Sequence, residues 1–290
     1  MTNTYKTQGI NLKGAPMGEN DRILTILSPE YGLIRAIVPG ARKHKSRLRG
    51  KSELFVVNDL LIVKGRSLDK IIQAETIESY PALSRSLDKL TASQYLGELI
   101  LHLASSELPQ AELYTILNEH LRRLAGVSRG VNIYPYLCQG ILHCLAIAGI
   151  APQVQICCHS QTKIIPNFQQ RGWQVGFSFE AGGAINLASE AITTTDEATE
   201  EIPIPKFTLN YRLDPLEFSL LQNLGYRSIV ETIDNIPQGN FDFDRAWLKI
   251  ERLLRDYIKY QLGSPIRAAS LVDVLSSDEF PTSIVSSLES

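Results

Sequence analysis

The sequence predicts an α+β chain, with a small closed β-barrel of five strands first and an α-helical region after it. Three observations carry this expectation. Apolar residues alternate in short runs as far as Glu78, with Gly- and Pro-bearing turns between them. After Tyr80-Pro81 their period lengthens to about 3.6. Residues 150–190 then break the helical pattern with Pro166, Gly172 and Gly182-Gly183 before it resumes.

Residues 4–12, TYKTQGINL, read as the first strand, with Gly9 as a bend or bulge. KGAPMGEND follows as an irregular loop, because Gly14, Pro16 and Gly18 rule out a helix. Ile23 to Leu27 and Leu33 to Val38 make the second and third strands across a turn at Ser28 to Gly32. In the third, Ile34, Ala36 and Val38 face one way and Leu33, Arg35 and Ile37 the other. Leu54 to Val63 and Leu68 to Glu78 are the fourth and fifth, the fifth alternating Ile71, Gln73 and Glu75 against Ile72, Ala74 and Thr76. Five strands in about 80 residues imply closure, and the OB type is the best-known five-stranded barrel.

Leu83, Leu87, Leu90, Tyr95, Leu96, Leu99 and Leu103 then fit one or two helices ending near Ser106. Pro109 opens a second stretch, with Leu113, Ile116, Leu117, Leu121 and Leu124 as its stripe and Gly126 near its end. A third spans Ile133 to Ala148 and stops at Gly149. Asp214 reads as an N-cap with Pro215 in the first turn. The last long helix, Asp244 to Leu262, sets Trp247, Ile250, Leu254 and Tyr257 against a basic side of Arg245, Lys249, Arg252, Arg255 and Lys259. The expected organisation is a barrel domain over 1–80 and a helical domain in two parts, 81–150 and 208–263. A looped subdomain over 151–192, an acidic linker over 193–207 and a flexible tail over 264–290 complete it.

With 29 Lys and Arg against 31 Asp and Glu, the 290-residue chain is slightly acidic overall. Its charge is nevertheless unevenly placed. Residues 1–80 carry thirteen basic and eight acidic side chains, whereas Glu190 to Glu201 holds five carboxylates and no cation. No apolar run is long enough to span a bilayer, and MTNTYKTQGINLKG has no hydrophobic signal core, so a cytoplasmic protein with no membrane contact is expected. Cys138, Cys144, Cys157 and Cys158 are too few and too irregularly spaced for a disulfide framework, and reduced thiols are expected.

The basic excess concentrates in PGARKHKSRLRGK, Pro39 to Lys51, where Arg42, Lys43, Lys45, Arg47, Arg49 and Lys51 surround His44 and no carboxylate follows until Glu53. A cationic loop between barrel strands suits a phosphate backbone; a solvated, self-repelling loop is the plainer reading. Arg35, Lys64 and Arg66 are candidates to extend the path. The binding this supports is electrostatic and needs no cofactor: the cations neutralise phosphates of a nucleic-acid backbone. Tyr5, Tyr31 and Phe55 are the main stacking candidates, so sequence preference should be slight. An enzyme is not expected. There is no phosphate-binding GxxxxGK[ST], no HExxH and no defensible carboxylate cluster, and Cys157, Cys158 and His159 are neighbours in a loop with no orienting third group.

GENDRILTILSPEYGLIRAIVPGARKHKSRLRG, Gly18 to Gly50, closely resembles the N-terminal signature of the RecO family of bacterial recombination mediators. The likeness continues more loosely through LFVVNDLLIV, IIQAETIESYPALSRSLDKL and YLGELILHLASSELPQAELYTILNEHLRRL, and covers most of residues 5–262. It implies an OB-fold DNA-binding domain, a helical domain, binding to single- and double-stranded DNA, and strand annealing in DNA repair. The implied partners are RecR, single-strand-binding protein and RecA, with RecF a further candidate. A protein-interaction scaffold of the same fold with little DNA affinity is the alternative; retention of all six cations in the loop argues against it.

The family's middle region often carries a four-cysteine zinc site, two CxxC pairs with the second just after a Gly-Gly turn. Here Cys157 stands at the first position, while Ser160, Asn186 and Ser189 stand at the other three. The expectation is therefore a degenerate, ribbon-like loop without metal, held by Trp173, Phe177 and Phe179, with Cys158 and His159 as poor substitutes. Single-strand-binding protein ends in an acidic, apolar tail, which calls for cations beside an apolar pocket. Arg122 and Arg123 with Tyr134 and Tyr136 are the candidates, and ordinary surface residues of an amphipathic helix are the alternative.

Overall fold

The computed structural model describes residues 3–187, 207–226, 228–229, 236–237 and 239–276. Five strands close into a barrel in the order β1-β2-β3-β5-β4, with β1 Thr4–Met17, β2 Asp21–Ser28, β3 Gly32–Val38, β4 Val57–Val63 and β5 Asp69–Glu78. All neighbours are antiparallel except β3 and β5, which run parallel from Ala36 and Ile37 against Asp69 and Lys70. This is the OB arrangement expected from the sequence. Leu24, Ile26, Ile34, Ala36, Val38, Leu60, Ile62, Ile71 and Ala74 fill the interior. The alternation in β3 holds, with Ile34, Ala36 and Val38 inside and Arg35 exposed.

Three strand details differ from the expectation. The segment read as an irregular loop from Lys13 is instead the second half of β1, which pairs with β2 from Ile10 to Met17. The β4 pairing stops at Ile10, so on that side Pro16 faces no strand whose ladder bond its missing N–H could cost. The bulge expected at Gly9 lies between Asn11 and Lys13. Gly9 instead permits close packing, since a Cβ there would meet Ile26 Cγ2 at 2.3 Å. Along β5, register shifts opposite Leu61/Ile62 and Val57/Asn58 cancel the simple alternation. Ile71 and Ala74 therefore both face inward, while Gln73 and Glu75 are exposed with Ile72.

Beyond a 3-10 turn at Pro81–Arg85, helices α1 Leu87–Leu103, α2 Ala111–Gly126 and α3 Tyr134–Ile147 pack together. A three-stranded sheet in the order β7-β6-β8, from β6 Val175–Ser178, β7 Gly183–Ile185 and β8 Tyr211–Leu213, leads into α4 Pro215–Asn223 and α5 Phe243–Leu262. Asp214 caps α4 in a capping box, accepting from Glu217 N at 2.9 Å while Glu217 Oε2 accepts from Asp214 N at 2.9 Å. Trp247, Ile250, Leu254 and Tyr257 of α5 are buried as expected, and Gly263 ends the helix at φ +67°. The chain does not loosen at Gly263, as the sequence suggested. Ile266, Ala269 and Val272 are buried, α6 Ala269–Ser276 follows, and the Glu98 carboxylate of α1 accepts from Arg267 N and Ala268 N at 2.9 and 2.8 Å. Residues 277–290 of the expected tail, and all of the acidic linker except Phe207, lie outside the described residues.

Barrel and helices share a core. Ile10, Leu12, Leu27, Phe55 and Val57 join the apolar cluster of α1, α2 and α3. At the β2–β3 turn, Leu33 N donates to Ser105 O, Glu107 N to Tyr31 O and Gln110 N to Pro29 O, at 2.8 to 3.0 Å. Gly32 sits between them at φ +64°, where a Cβ would stand 2.1 Å from Ser105 O. No described helix is long and apolar enough to cross a membrane.

Candidate nucleic-acid interface

The basic stretch leaves the barrel at Val38 and returns at Val57, and between them it is a chain of tight turns. Lys43 N donates to Gly40 O, Ser46 N to Lys43 O, Arg49 N to Ser46 O and Ser52 N to Leu48 O, at 3.0 to 3.3 Å. Ala41 is buried and Leu48 packs on the barrel core. At the entry, the Asp21 carboxylate accepts from Gly40 N at 2.7 Å, Arg42 N donates to Asn20 O, and Arg42 Nη1 reaches Gly18 O at 2.7 Å. The loop is thus framed against the β1–β2 hairpin, and Arg42, Lys43, His44, Lys45, Arg47 and Arg49 are exposed along it. Among the described residues none of these five Arg and Lys side chains has a carboxylate within ion-pair distance. Packed cations without counter-charges make a strong positive potential, which is the electrostatic requirement for phosphate.

The other candidate cations fall into two groups. Arg35 on β3 and Arg66 between β4 and β5 are exposed and unpaired among the described residues. Lys51 is half-buried and its ammonium donates to the Ala74 carbonyl, so it anchors the loop to β5 rather than extending it. Lys64 faces Glu107 at 3.6 Å. Among the aromatic candidates, Tyr5 and Tyr31 form a pair with ring centroids 4.7 Å apart. Burial, and then the bond from its hydroxyl to Asp69, push the Tyr5 phenol well up, while Tyr31 is exposed. Phe55 is not available to a base: at φ +60° its ring turns into the core and lies against Gly97 of α1.

Arg122 and Arg123 are compensated. Arg122 makes a two-point bond to Glu78, Nε to Oε1 at 3.0 Å and Nη2 to Oε2 at 2.9 Å, which holds the Glu78 carboxyl below its usual range. Arg123 bonds Gln139 Oε1 at 2.6 Å and also Glu119. Tyr134 and Tyr136 are half-buried against the helical core, and the Tyr134 hydroxyl donates to Val272 O at 3.2 Å. On α5, Lys249 pairs with buried Glu217 at 2.6 Å and Arg255 with buried Glu251 at 2.5 Å, leaving Arg245, Arg252 and Lys259 exposed.

In the ribbon-like region, Cys157, Ser160 and Asn186 do meet. Ser160 N and Asn186 N both donate to Cys157 Sγ, at 3.4 and 3.2 Å. Burial alone would raise this thiol; donation from Asn186 N, from the Ser160 side chain and N, and from His159 N outweighs it, so its pKa is lowered. Ser160 Oγ is committed to Thr162 Oγ1 at 2.7 Å, and His159 is exposed beside Phe207. Ser189 lies outside the described residues. Among those described, no three His, Cys, Asp or Glu side chains converge. Phe177 and Phe179 are buried at the centre of this region, with Trp173 packed against Phe218.

Asn11, Asn58 and Arg22, which belong to no motif in the sequence, grip the loop's return to the barrel. Two Asn at inward-facing strand positions are the signal that could have found them, since strands disfavour Asn.

Comparison with known proteins agrees with this geometry. Residues 1–80 match the family model Recombination protein O N terminal, and residues 84–193 match Recombination protein O C terminal. The chain is 56% identical to DNA repair protein RecO of Gloeothece citriformis over 285 residues, covering 97% of this chain and all of the relative. It is 47% identical to the proteins of the same name from Nostoc punctiforme and Synechocystis sp., over 94% of this chain in each case and 96% and 97% of the relatives. By both the barrel that carries the basic loop and these matches along nearly its whole length, the chain belongs to the RecO family.

Proposed function

We propose that this chain is a DNA-binding recombination mediator in DNA repair that anneals complementary single strands, with residues 1–80 as the DNA-binding domain. The observation that carries the reading is the framed loop with Arg42, Lys43, Lys45, Arg47 and Arg49 exposed and uncompensated among the described residues. Arg35 and Arg66 lengthen the path, His44 lies within it, and Lys51 and Lys64 contribute as supports. Phosphate contacts of this kind bind any sequence, and once repulsion between two strands is screened, base pairing supplies the rest. Tyr5 and Tyr31 are the stacking surface on this reading.

The relatives' printed name supports a role in repair, and the family resemblance supports work beside RecR and single-strand-binding protein in loading RecA, with RecF as a further partner, in the bacterial cytoplasm at the nucleoid. Arg122, Arg123, Tyr134 and Tyr136 are the proposed receiving site for the acidic tail of single-strand-binding protein. A tail binding there must compete with Glu78 and Glu119. No catalytic step is assigned.

Titration of fluorescent single-stranded DNA across a salt series tests the reading. With about four to six phosphates contacted, log K should fall against log salt with a slope of roughly −3 to −4. Absent or salt-independent binding would favour the scaffold reading instead.

A further inference from the structure

The return of the basic loop to the barrel is held by groups that come from inside the barrel wall. Asn11 of β1 and Asn58 of β4 are 0% and 1% exposed, at positions where an apolar side chain would be the ordinary choice. Their amide groups converge on one acceptor: Asn11 Nδ2 and Asn58 Nδ2 both donate to Lys51 O, at 2.8 and 2.9 Å. Asn11 Nδ2 also donates to Glu53 O at 2.8 Å. Phe55 N in turn donates to Asn11 O at 2.8 Å, and Thr76 Oγ1 bonds Asn58 Oδ1 at 3.2 Å, which fixes the direction of that amide. From β2, Arg22 Nη1 donates to Ser52 O at 2.9 Å.

A carbonyl has two lone pairs, and that of Lys51 has an amide donor on each. The geometry points to Asn11 and Asn58 as positioning residues for DNA, clamping the loop's return so that the cations from Arg42 to Arg49 are held in one arrangement before a strand arrives. This rests on the DNA-binding reading of the loop. A framed loop loses less conformational freedom on binding than a mobile one, so the clamp should appear in affinity although neither Asn touches DNA.

The test combines Asn58→Leu with neutralisation of the loop (Arg42→Ala, Lys43→Ala, Arg47→Ala and Arg49→Ala) in a double-mutant cycle, with single-stranded DNA affinity and thermal unfolding measured on all four proteins. Asn58→Leu alone should lower affinity roughly 3- to 10-fold, the effect of one or two hydrogen bonds. Amide exchange at Ser52 and Glu53 should quicken while β2 and β3 stay protected. In the neutralised background the same substitution should change affinity less than about two-fold, since its effect passes through the cations. An equal loss in both backgrounds would make Asn58 a general stabiliser and overturn the inference, as would wild-type affinity in folded Asn58→Leu. A neutralised protein that binds like wild type would overturn the loop reading itself, and the clamp with it. Should Asn58→Leu fail to fold, Asn58→Thr, which suits a strand and lacks the amide donor, is read in the same cycle.

Discussion

Arg47 and Arg49 in the barrel loop and Arg122 and Arg123 on α2 look alike in sequence, each a pair of arginines beside leucines. In the loop both guanidinium groups are exposed, with no carboxylate in ion-pair reach among the described residues. On α2, Arg122 is held by Glu78, 44 residues away at the end of β5, and Arg123 by Glu119 one turn earlier. A basic stretch becomes a basic surface only where the fold keeps carboxylates away from it. Around the loop, the Asp21 carboxylate is engaged by a backbone amide and Glu53 pairs with Arg22 at 3.1 Å.

The strongest way to break this contrast is to neutralise Arg42, Lys43, Arg47 and Arg49 together. The salt dependence of single-stranded DNA binding should flatten by about 2 to 3 units of slope and annealing should cease, with the barrel still folded because these side chains fill no core and only the Arg42 bond to Gly18 O is lost. A folded variant that keeps the wild-type slope would move the DNA path elsewhere, to the exposed side of α5 first.

A second test bears on the interior face of α2. His120 is buried with Nε2 3.0 Å from His143 Nδ1, and burial, then His143 and Arg123, lower its pKa from 6.5 to about 3. Between those values the unfolded chain takes up a proton that the folded chain refuses. Stability is therefore complete above about pH 6.5 and falls as pH is lowered toward 3. Urea midpoints measured across that range should decline, and His120→Gln should flatten the decline; an equally steep acid limb in the variant would locate the titration in other groups.

Reversing Arg122 and Arg123 to Glu should have a smaller and more selective effect. Affinity for naked DNA should change less than about two-fold, since charge acts within a Debye length of about 10 Å, while binding to the acidic tail of single-strand-binding protein should weaken. Unchanged tail affinity in the folded variant would remove this surface from the proposal. The smallest expected effect is none: a strong chelator should leave the thermal midpoint where it was, and elemental analysis should find well under one zinc per chain, because Ser160 and Asn186 offer Cys157 backbone N–H groups in place of two thiolates. One tightly held zinc would refute this.

The barrel was legible because alternation reports directly which face of a strand is buried, and the basic loop because six cations without an acid need no fold to be noticed. What escaped was decided by partners distant in sequence. Gly14 and Pro16 look like breakers until it is known that β1 has no neighbour on one side there. The face of Ala74 depends on a register shift opposite β4, and Lys51 reads as one more cation until Ala74 O is beside it. Phe55 offered no warning of a positive φ. The Ser-rich composition after Gly263 concealed Ile266, Ala269 and Val272, three apolar residues at helical spacing with α1 to receive them.

The joint between the β2–β3 turn and the α1–α2 connection is hydrogen-bonded through backbone groups. Side chains at Pro29, Tyr31, Leu33, Ser105, Glu107 and Gln110 can therefore diverge over generations without deleting any of its three hydrogen bonds, provided the chain path is kept. Gly32 is different, because any larger residue would strike the Ser105 carbonyl. The relative placement of barrel and helices thus depends on one small position as well as on their shared core, and a lineage could rewrite many surface residues around that position while continuing to present the basic loop at the same angle to the helical region.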